Sequence, residues 1–291
     1  MTFSYAEFTT RNIGFVSTAE QERLRRAKVF VAGVGGMGGA AVACLARSGV
    51  GTLWFADLDR FEISNLNRQM FATVETVGQD KAAVTEEGLK RINPDLSTRV
   101  LGREWPSMLD EILPAVDVAI NGCDDTRAAI ALMRKAREHE KTVVDAFASP
   151  LPNVYVVKPT DKRPEELFGY PTVGISLEEI DAGLARACLE KEIEWVMVHS
   201  SSAEYVELDI AAEMLSGKRK RMSFAPMVWS TGCLMAYETI RVILRKPGGA
   251  GPGGVFYNPW THSVERPRSA AIAAVRRIFV RRFFARLAAE K

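Results

Sequence analysis

An α/β fold with a doubly wound, mostly parallel sheet is predicted by three observations. A β-rich apolar run, Lys28–Gly33, is followed at once by closely spaced glycines at Gly33, Gly35, Gly36, Gly38 and Gly39. Small and apolar residues then carry a helical signal from Ala40 to Ser48, and a second strand, Thr52–Ala56, closes a βαβ unit. Strand and helix signals keep alternating as far as Ala146, and such alternation with right-handed crossovers builds a parallel sheet.

The elements follow in order. A polar opening runs to Arg26, with a short helix over Ala19–Arg26. After the βαβ unit, Lys81–Ile92 reads as a helix closed by Asn93-Pro94, and Ser97–Leu101 as a strand. Val116–Asn121 reads as a buried strand, Thr126–Glu138 as a helix and Thr142–Ala146 as a further strand. After Pro150 the rhythm changes. Val154–Lys158 is a strand in different surroundings, and residues 159–223 are polar and broken by Pro and Gly, with one amphipathic helix near Leu177–Glu192. That stretch reads as a crossover insertion or lid. Met227–Leu244 is a strongly apolar helix, Pro247–Gly254 a flexible loop, and Ser269–Ala289 a final helix. The organisation expected is an arm over residues 1–26, a nucleotide-binding core over 27–150, a crossover insertion over 151–225, and a C-terminal helical part over 226–291.

Composition bounds the function. The 291 residues, 47% hydrophobic, suffice for a full core, and Lys+Arg 38 against Asp+Glu 36 gives no bulk charge suited to nucleic acid. Cys44, Cys123, Cys188 and Cys233 lie far apart without a CxxC pair, so neither a zinc site nor a disulfide framework is expected. The N-terminus has no signal-peptide pattern, and no apolar run reaches the roughly 18–20 residues that cross a bilayer. The expectation is a cytoplasmic protein without a transmembrane segment.

Gly33-Val34-Gly35-Gly36-Met37-Gly38 satisfies GxGxxG between a strand and a helix. Glycine lets the backbone approach a phosphate, and the helix N-terminus offers free amides and the positive end of its dipole. Asp57 or Asp59, at the end of the second strand, is placed to bond a ribose hydroxyl. The turn supports nucleotide binding without choosing among NAD, FAD and ATP. The next stretch, Asp57-Leu58-Asp59-Arg60-Phe61-Glu62-Ile63-Ser64-Asn65-Leu66-Asn67-Arg68-Gln69, favours ATP. Cleaving a polyphosphate calls for Arg, Lys and carboxylate-held Mg²⁺. Arg68, Lys81 and Asp124 supply those types, each just beyond a predicted strand end, where ligands of open α/β sheets bind. Taken singly, each is equally a solvated surface charge.

Together, GVGGMGG, DLDRFEISNLNRQ, Gly78-Gln79-Asp80-Lys81, Arg91-Ile92-Asn93-Pro94 and Cys123-Asp124-Asp125 resemble the ubiquitin-activating-enzyme superfamily. Its bacterial branch includes the adenylyltransferases for molybdopterin and thiamine sulfur carriers. The similarity covers roughly residues 11–147 and returns weakly at Pro226–Leu244. It implies a Rossmann-like adenylation domain that uses ATP and Mg²⁺. Gly33, Gly35 and Gly36 would lie against the phosphates, Asp57 with Asp59 at the ribose, and Ser64, Asn65, Arg68, Gln69 and Lys81 along the triphosphate. Asp124 would hold Mg²⁺, with Asp125 beside it where the family usually has Asn. Arg11 resembles an arginine that family dimers insert into the partner's site, although Asn12 follows it where the family favours Gln. A homodimer is therefore expected.

The substrate that the resemblance implies is the C-terminal glycine of a ubiquitin-like or sulfur-carrier protein. Some relatives activate a peptide or a carboxylate on a tRNA nucleoside, so tRNA stays among the possible partners. The CxxC zinc ligands of many bacterial members are missing, and no zinc is expected. Cys188 lies where some relatives place a thioester-forming thiol, yet nothing around it in sequence lowers its pKa, and a packing thiol is expected. An NAD(P)-dependent oxidoreductase and an inactive scaffold subunit stay as alternatives. Lys218-Arg219-Lys220-Arg221 reads as a solvated loop or a contact for an acidic partner or RNA. The final helix, with Ile278, Phe279, Phe283 and Leu287 among five arginines, reads as docking on the body through its apolar residues.

Overall fold

Strands β1 (Lys28–Ala32), β2 (Thr52–Ala56), β3 (Ser97–Leu101), β4 (Val118–Asn121) and β5 (Thr142–Asp145) pair in parallel in the order β3-β2-β1-β4-β5. The sheet then changes sense. Strands β6 (Asn153–Val157), β7 (Val255–Asn258) and β8 (Ser263–Glu265) continue it antiparallel beyond β5. The structure is a computed structural model that describes residues 2–215 and 217–289, with the backbone alone at 215 and 286–289.

The helices are α1 (Tyr5–Phe8), α2 (Thr18–Arg26), α3 (Gly36–Arg47), α4 (Lys81–Ile92), α5 (Leu109–Ala115) and α6 (Thr126–Glu138). After β6 come α7 (Pro164–Phe168), α8 (Ala182–His199), α9 (Leu208–Leu215), α10 (Ala225–Ile243) and α11 (Ala270–Ala289). Alternation along the strands divides the core into two layers. Val29, Val31, Val118, Ile120, Val144 and Val156 face one cluster with Ala41, Leu45 and Met235 of α3 and α10. Phe30, Ala119, Val143, Tyr155 and Phe256 face the other, with Ile112, Ile130 and Val196 of α5, α6 and α8. Continuous apolar strands buried on both faces are what a parallel sheet under two helical layers requires.

Most strands and helices as far as β5 lie within two residues of their expected bounds, although α3 begins at Gly36, four residues before its helical signal; the later part departs from expectation. Residues 159–223 hold α7, α8 and α9 where one helix was expected, and α8 runs on to His199. The part after 226 adds β7 and β8 to the expected helices, and α5 was not foreseen. The Pro247–Gly254 segment is fixed, not loose. The Ala250 amide donates to Glu238 Oε1 at 2.9 Å, and the Gly251 carbonyl accepts from the Val156 amide at 3.3 Å.

Helix α11 docks through a face other than the expected one. Ala273 and Val280 are buried against Val198, with Phe284 beside them, while Ile278 is 54% and Phe279 64% exposed. Three of its arginines fasten it as well. Arg276 donates to the Met197 and Ser200 carbonyls at 2.8 Å, and Arg281 and Arg277 lie 2.9 and 3.5 Å from Glu194. Leu287 lies outside the described side chains. None of the described helices is long and apolar enough to cross a membrane.

Candidate functional site

The carboxyl edge of the parallel strands opens into a cavity of about 1280 Å³. Its floor is the turn between β1 and α3. Gly33 has φ +85°, and a Cβ there would lie 2.6 Å from the Gly122 carbonyl oxygen, so two strand exits meet backbone to backbone. A Cβ on Gly38 would lie 1.9 Å from the Gly33 carbonyl oxygen, which holds α3 down on the strand. Gly35 is the N-cap of α3, and no side chain caps the helix. Its first-turn amides therefore remain free for a ligand, the arrangement that suits an anion.

Charged groups gather around this turn. Asp57 follows β2, and its carboxylate accepts from the Val34 amide at 2.9 Å and the Asp59 amide at 3.1 Å. Burial raises its pKa against those two hydrogen bonds. Lys81 opens α4 with its side chain only 8% exposed and its Nζ 2.9 Å from Asp59. Among the described residues this buried ammonium has one carboxylate partner, which is itself 71% exposed. Arg68 donates through Nη1 to the Ser64 carbonyl at 2.7 Å and to Asn67 Oδ1 at 2.9 Å. Burial first, and the like charge of Arg221 second, lower its pKa. Gln69 is buried on the same wall, and its Oε1 accepts no hydrogen bond among the described residues.

Beyond β4, Asp125 caps α6 by accepting from the Ala128 amide at 3.0 Å. Asp124 is exposed to the cavity and, among the described residues, has no hydrogen-bond or ion-pair partner. Mg²⁺ binds through one or two carboxylates and keeps its remaining positions for water and phosphate. One free carboxylate lining the same cavity as the α3 N-terminus fits that demand.

The cavity thus brings together Gly33, Gly35, Gly36, Asp57, Asp59, Arg68, Gln69, Lys81, Asp124 and Asp125. Three expected residues stand apart. Ser64 and Asn65 do not line it, because both side chains close the turn before Arg68. Ser64 Oγ donates to Glu62 Oε2 at 3.1 Å, and Asn65 Oδ1 accepts from the Glu62 amide at 3.0 Å. Arg11 is exposed on a turn that Asn12 ties to Gln21 and to the Ser48 carbonyl. That places it at the amino edge of the sheet, opposite its own cavity.

Sequence reading missed a buried polar group beside the site. Asp145, at the end of β5, accepts from Asn121 Nδ2 at 3.0 Å, from the Ala146 amide at 2.7 Å and from the Tyr155 hydroxyl. It lines a second cavity of about 80 Å³ with Glu192, Tyr170 and Asp124. Burial pushes Asp145 up to about 7 and raises Glu192 as well. Its position at a strand end was the available signal, because an acid on a buried strand must be met by hydrogen-bond partners. Cys123 donates to Asn121 Oδ1 at 3.1 Å, and burial pushes its thiol up to about 12. Cys188 is buried, with Thr172 Oγ1 at 3.8 Å, and burial raises its pKa too.

The sign of the Asp145 shift predicts a pH effect. Its folded pKa, about 7, lies above the unfolded value near 4, so the native state holds the extra proton between them. This group's contribution is therefore most favourable below about pH 4 and declines as pH rises through 7. Asp145→Asn should flatten the fall of melting temperature between pH 5 and 8. An unchanged slope in that variant would refute the assignment.

A doubly wound α/β sheet with an uncapped glycine turn, and with two cations and a free carboxylate at its carboxyl edge, defines a nucleotide-binding protein. The chain belongs to the ThiF family, whose sequence profile matches residues 9–273. It is 46% identical over 110 residues to the sulfur carrier protein adenylyltransferase of Thermus thermophilus, covering 36% of this chain and 39% of that one. It is 45% identical over 130 residues to the tRNA threonylcarbamoyladenosine dehydratase of Bacillus subtilis, covering 44% and 51%. The matches thus span about half or less of these relatives' length. Among solved structures, Escherichia coli MccB with AMPCPP and MccA superposes with a TM-score of 0.63 at 18% identity, over 93% of this chain and 75% of that one. PaaA superposes at 0.60 and 18%, over 92% and 74%.

Proposed function

We propose that the protein adenylates a carboxylate at the expense of ATP. A carboxylate oxygen attacks the α-phosphorus, the bond from that phosphorus to the bridging oxygen breaks, and pyrophosphate leaves with the electron pair. The observation that carries this reading is the single cavity shared by the free α3 amides, Arg68, Lys81 and Asp124. Among the described residues no side chain there is an activated nucleophile, so rate comes from positioning and from charge held ready for the departing pyrophosphate. The α3 amides and Gly36 cradle phosphate, and Asp57 takes the ribose with its remaining lone pairs. Arg68, Gln69 and Lys81 line the triphosphate, with Lys81 leaving Asp59 to do so. Ser64 and Asn65 serve from behind, by shaping the turn that aims Arg68. Asp124 and, next to it, Asp125 face the place of the metal; bound Mg²⁺ would supply neutralisation of the phosphate charge.

The carboxylate belongs, in this reading, to the C terminus of a small carrier protein or peptide, as the names of the sulfur-carrier relatives suggest. A carboxylate on a modified tRNA nucleoside would enter by the same step, and the Bacillus relative supports it equally by identity. Arg11, turned away from its own cavity, acts in the site of a second copy in a homodimer. Calorimetry with MgATP and with NADH tests the nucleotide. MgATP should bind and NADH should not; tight NADH binding without ATP binding would replace adenylation by an oxidoreductase.

A further inference from the structure

The cavity is larger than its charged half requires. Pockets for one small ligand run to about 300–1,000 Å³, and this one holds about 1280 Å³. Its far half changes chemistry. Tyr205, Leu208, Ile210, Met214, Trp260 and Phe283 form the wall, contributed by α8–α9, the β7–β8 turn and α11. Tyr205 and Trp260 stack with ring centroids 6.2 Å apart and planes 7° from parallel. Glu207 and Arg219 are the charged groups there, and Arg219 lies 3.6 Å from Glu213.

Arg221 stands where the two halves meet. The basic run is solvated, as expected, but its members meet different neighbours: Lys220 holds Glu62 at 2.9 Å, while exposed Arg221 lines both the main and the small cavity. Among the described residues Arg221 has no hydrogen-bond or ion-pair partner. Its charge acts on Arg68 on one side and on buried Glu192 on the other. The strap carrying it is tied at the mouth by Asn67, which donates to the Ser223 carbonyl at 3.1 Å, and α10 just after it by Trp229, which donates to the Arg68 carbonyl at 2.8 Å. Arg221 shares the small cavity with Asp124, Asp125 and Glu192 yet, among the described residues, bonds to none of them, and the fork of such an Arg suits an incoming carboxylate.

We propose that this half of the cavity binds the carboxylic acid to be activated, that the acid carries an apolar body, and that Arg221 receives its carboxylate. Alkyl or aryl groups lie against Leu208, Ile210, Met214 and Phe283, and the carboxylate points back toward the α3 amides. Among the carboxylates that the adenylation reading allows, this favours an apolar terminus or free acid over a carrier ending in Gly-Gly, which would leave those walls wet and bury less apolar surface. The identity of the acid deepens the adenylation reading, which supplies only the fate of its carboxylate.

The test measures binding without turnover, by calorimetry, using octanoate, the tripeptide Ala-Ala-Phe, Gly-Gly and octanol as probes. Octanoate or Ala-Ala-Phe should bind well above Gly-Gly and octanol, and which of the two binds distinguishes a free acid from a peptide terminus. Arg221→Ala should weaken the bound acid roughly 10- to 100-fold, the scale of a charge-assisted bond. Leu208→Asp should weaken it comparably while MgATP still binds. Apolar acids that bind no better than Gly-Gly, or that bind both variants unchanged, overturn the proposal. Acid binding without any ATP binding would instead sink adenylation and leave the acid site standing.

Discussion

Asp124→Ala should abolish ATP–pyrophosphate exchange, a loss of about 10²–10³-fold or more, with the melting temperature nearly unchanged. The two halves of that expectation come from one observation. Asp124 is exposed and has no bonded partner among the described residues, so the fold loses nothing when it goes. Surface substitutions of that kind stay within about 0.5 kcal/mol. Its free carboxylate nonetheless lines the cavity that also holds the uncapped end of α3, where a metal carried by the triphosphate would sit. Neighbouring Asp125 differs, because it caps α6 and its loss would cost stability as well. Full exchange activity in Asp124→Ala would remove that residue from the site.

Arg11→Ala should slow exchange strongly although Arg11 lies at the wrong end of its own chain for the reaction. The turn holding it is anchored by Asn12 and exposes Ile13 and Phe15 beside it, Phe15 to 89%. A cation flanked by uncovered apolar side chains suits an interface better than bulk solvent. In an isologous dimer each copy would lend this arginine to the other. Mixing Arg11→Ala with Asp124→Ala subunits should then restore up to one working site per heterodimer. That site pairs the Asp124 of one chain with the Arg11 of the other. A monomer by light scattering, or no recovery in mixtures shown to exchange subunits, would overturn the shared site.

Much of the fold as far as β5 was legible because local signals and tertiary needs agreed there. Thr52–Ala56, Ser97–Leu101 and Thr126–Glu138 are uninterrupted runs between clear stops. The later half was harder. Strand β8 is three residues long and mostly exposed, so it carries no apolar alternation to read. The glycines of 247–254 suggested freedom, whereas contacts distant in sequence, with Glu238 and Val156, fix them. For α11 the largest side chains suggested the docking face, but carbonyls left open at the end of α8 drew Arg276 and turned Phe279 outward. Within the site, residue types identified the cations and acids, while Arg221 and Asp145 needed the fold. The basic run is solvated as expected, and only the fold shows that Arg221 also lines the cavity.

The meeting of Gly33 with Gly122 has a consequence for the order in which the protein assembles. Strands β1 and β4 are neighbours in the sheet although the Lys28 amide and its partner Asp117 are 89 positions apart. Closing so long a loop is entropically unfavourable until the intervening chain has folded, so this ladder forms late. The glycine floor and Asp124 face each other only after it has formed. A ligand in the cavity therefore bridges a late-formed junction and opposes its opening. At a hundredfold excess over its dissociation constant it would stabilise the native state by about 2.7 kcal/mol. Amide exchange should show that protection in β1 and β4 together, far beyond the few residues that touch the ligand.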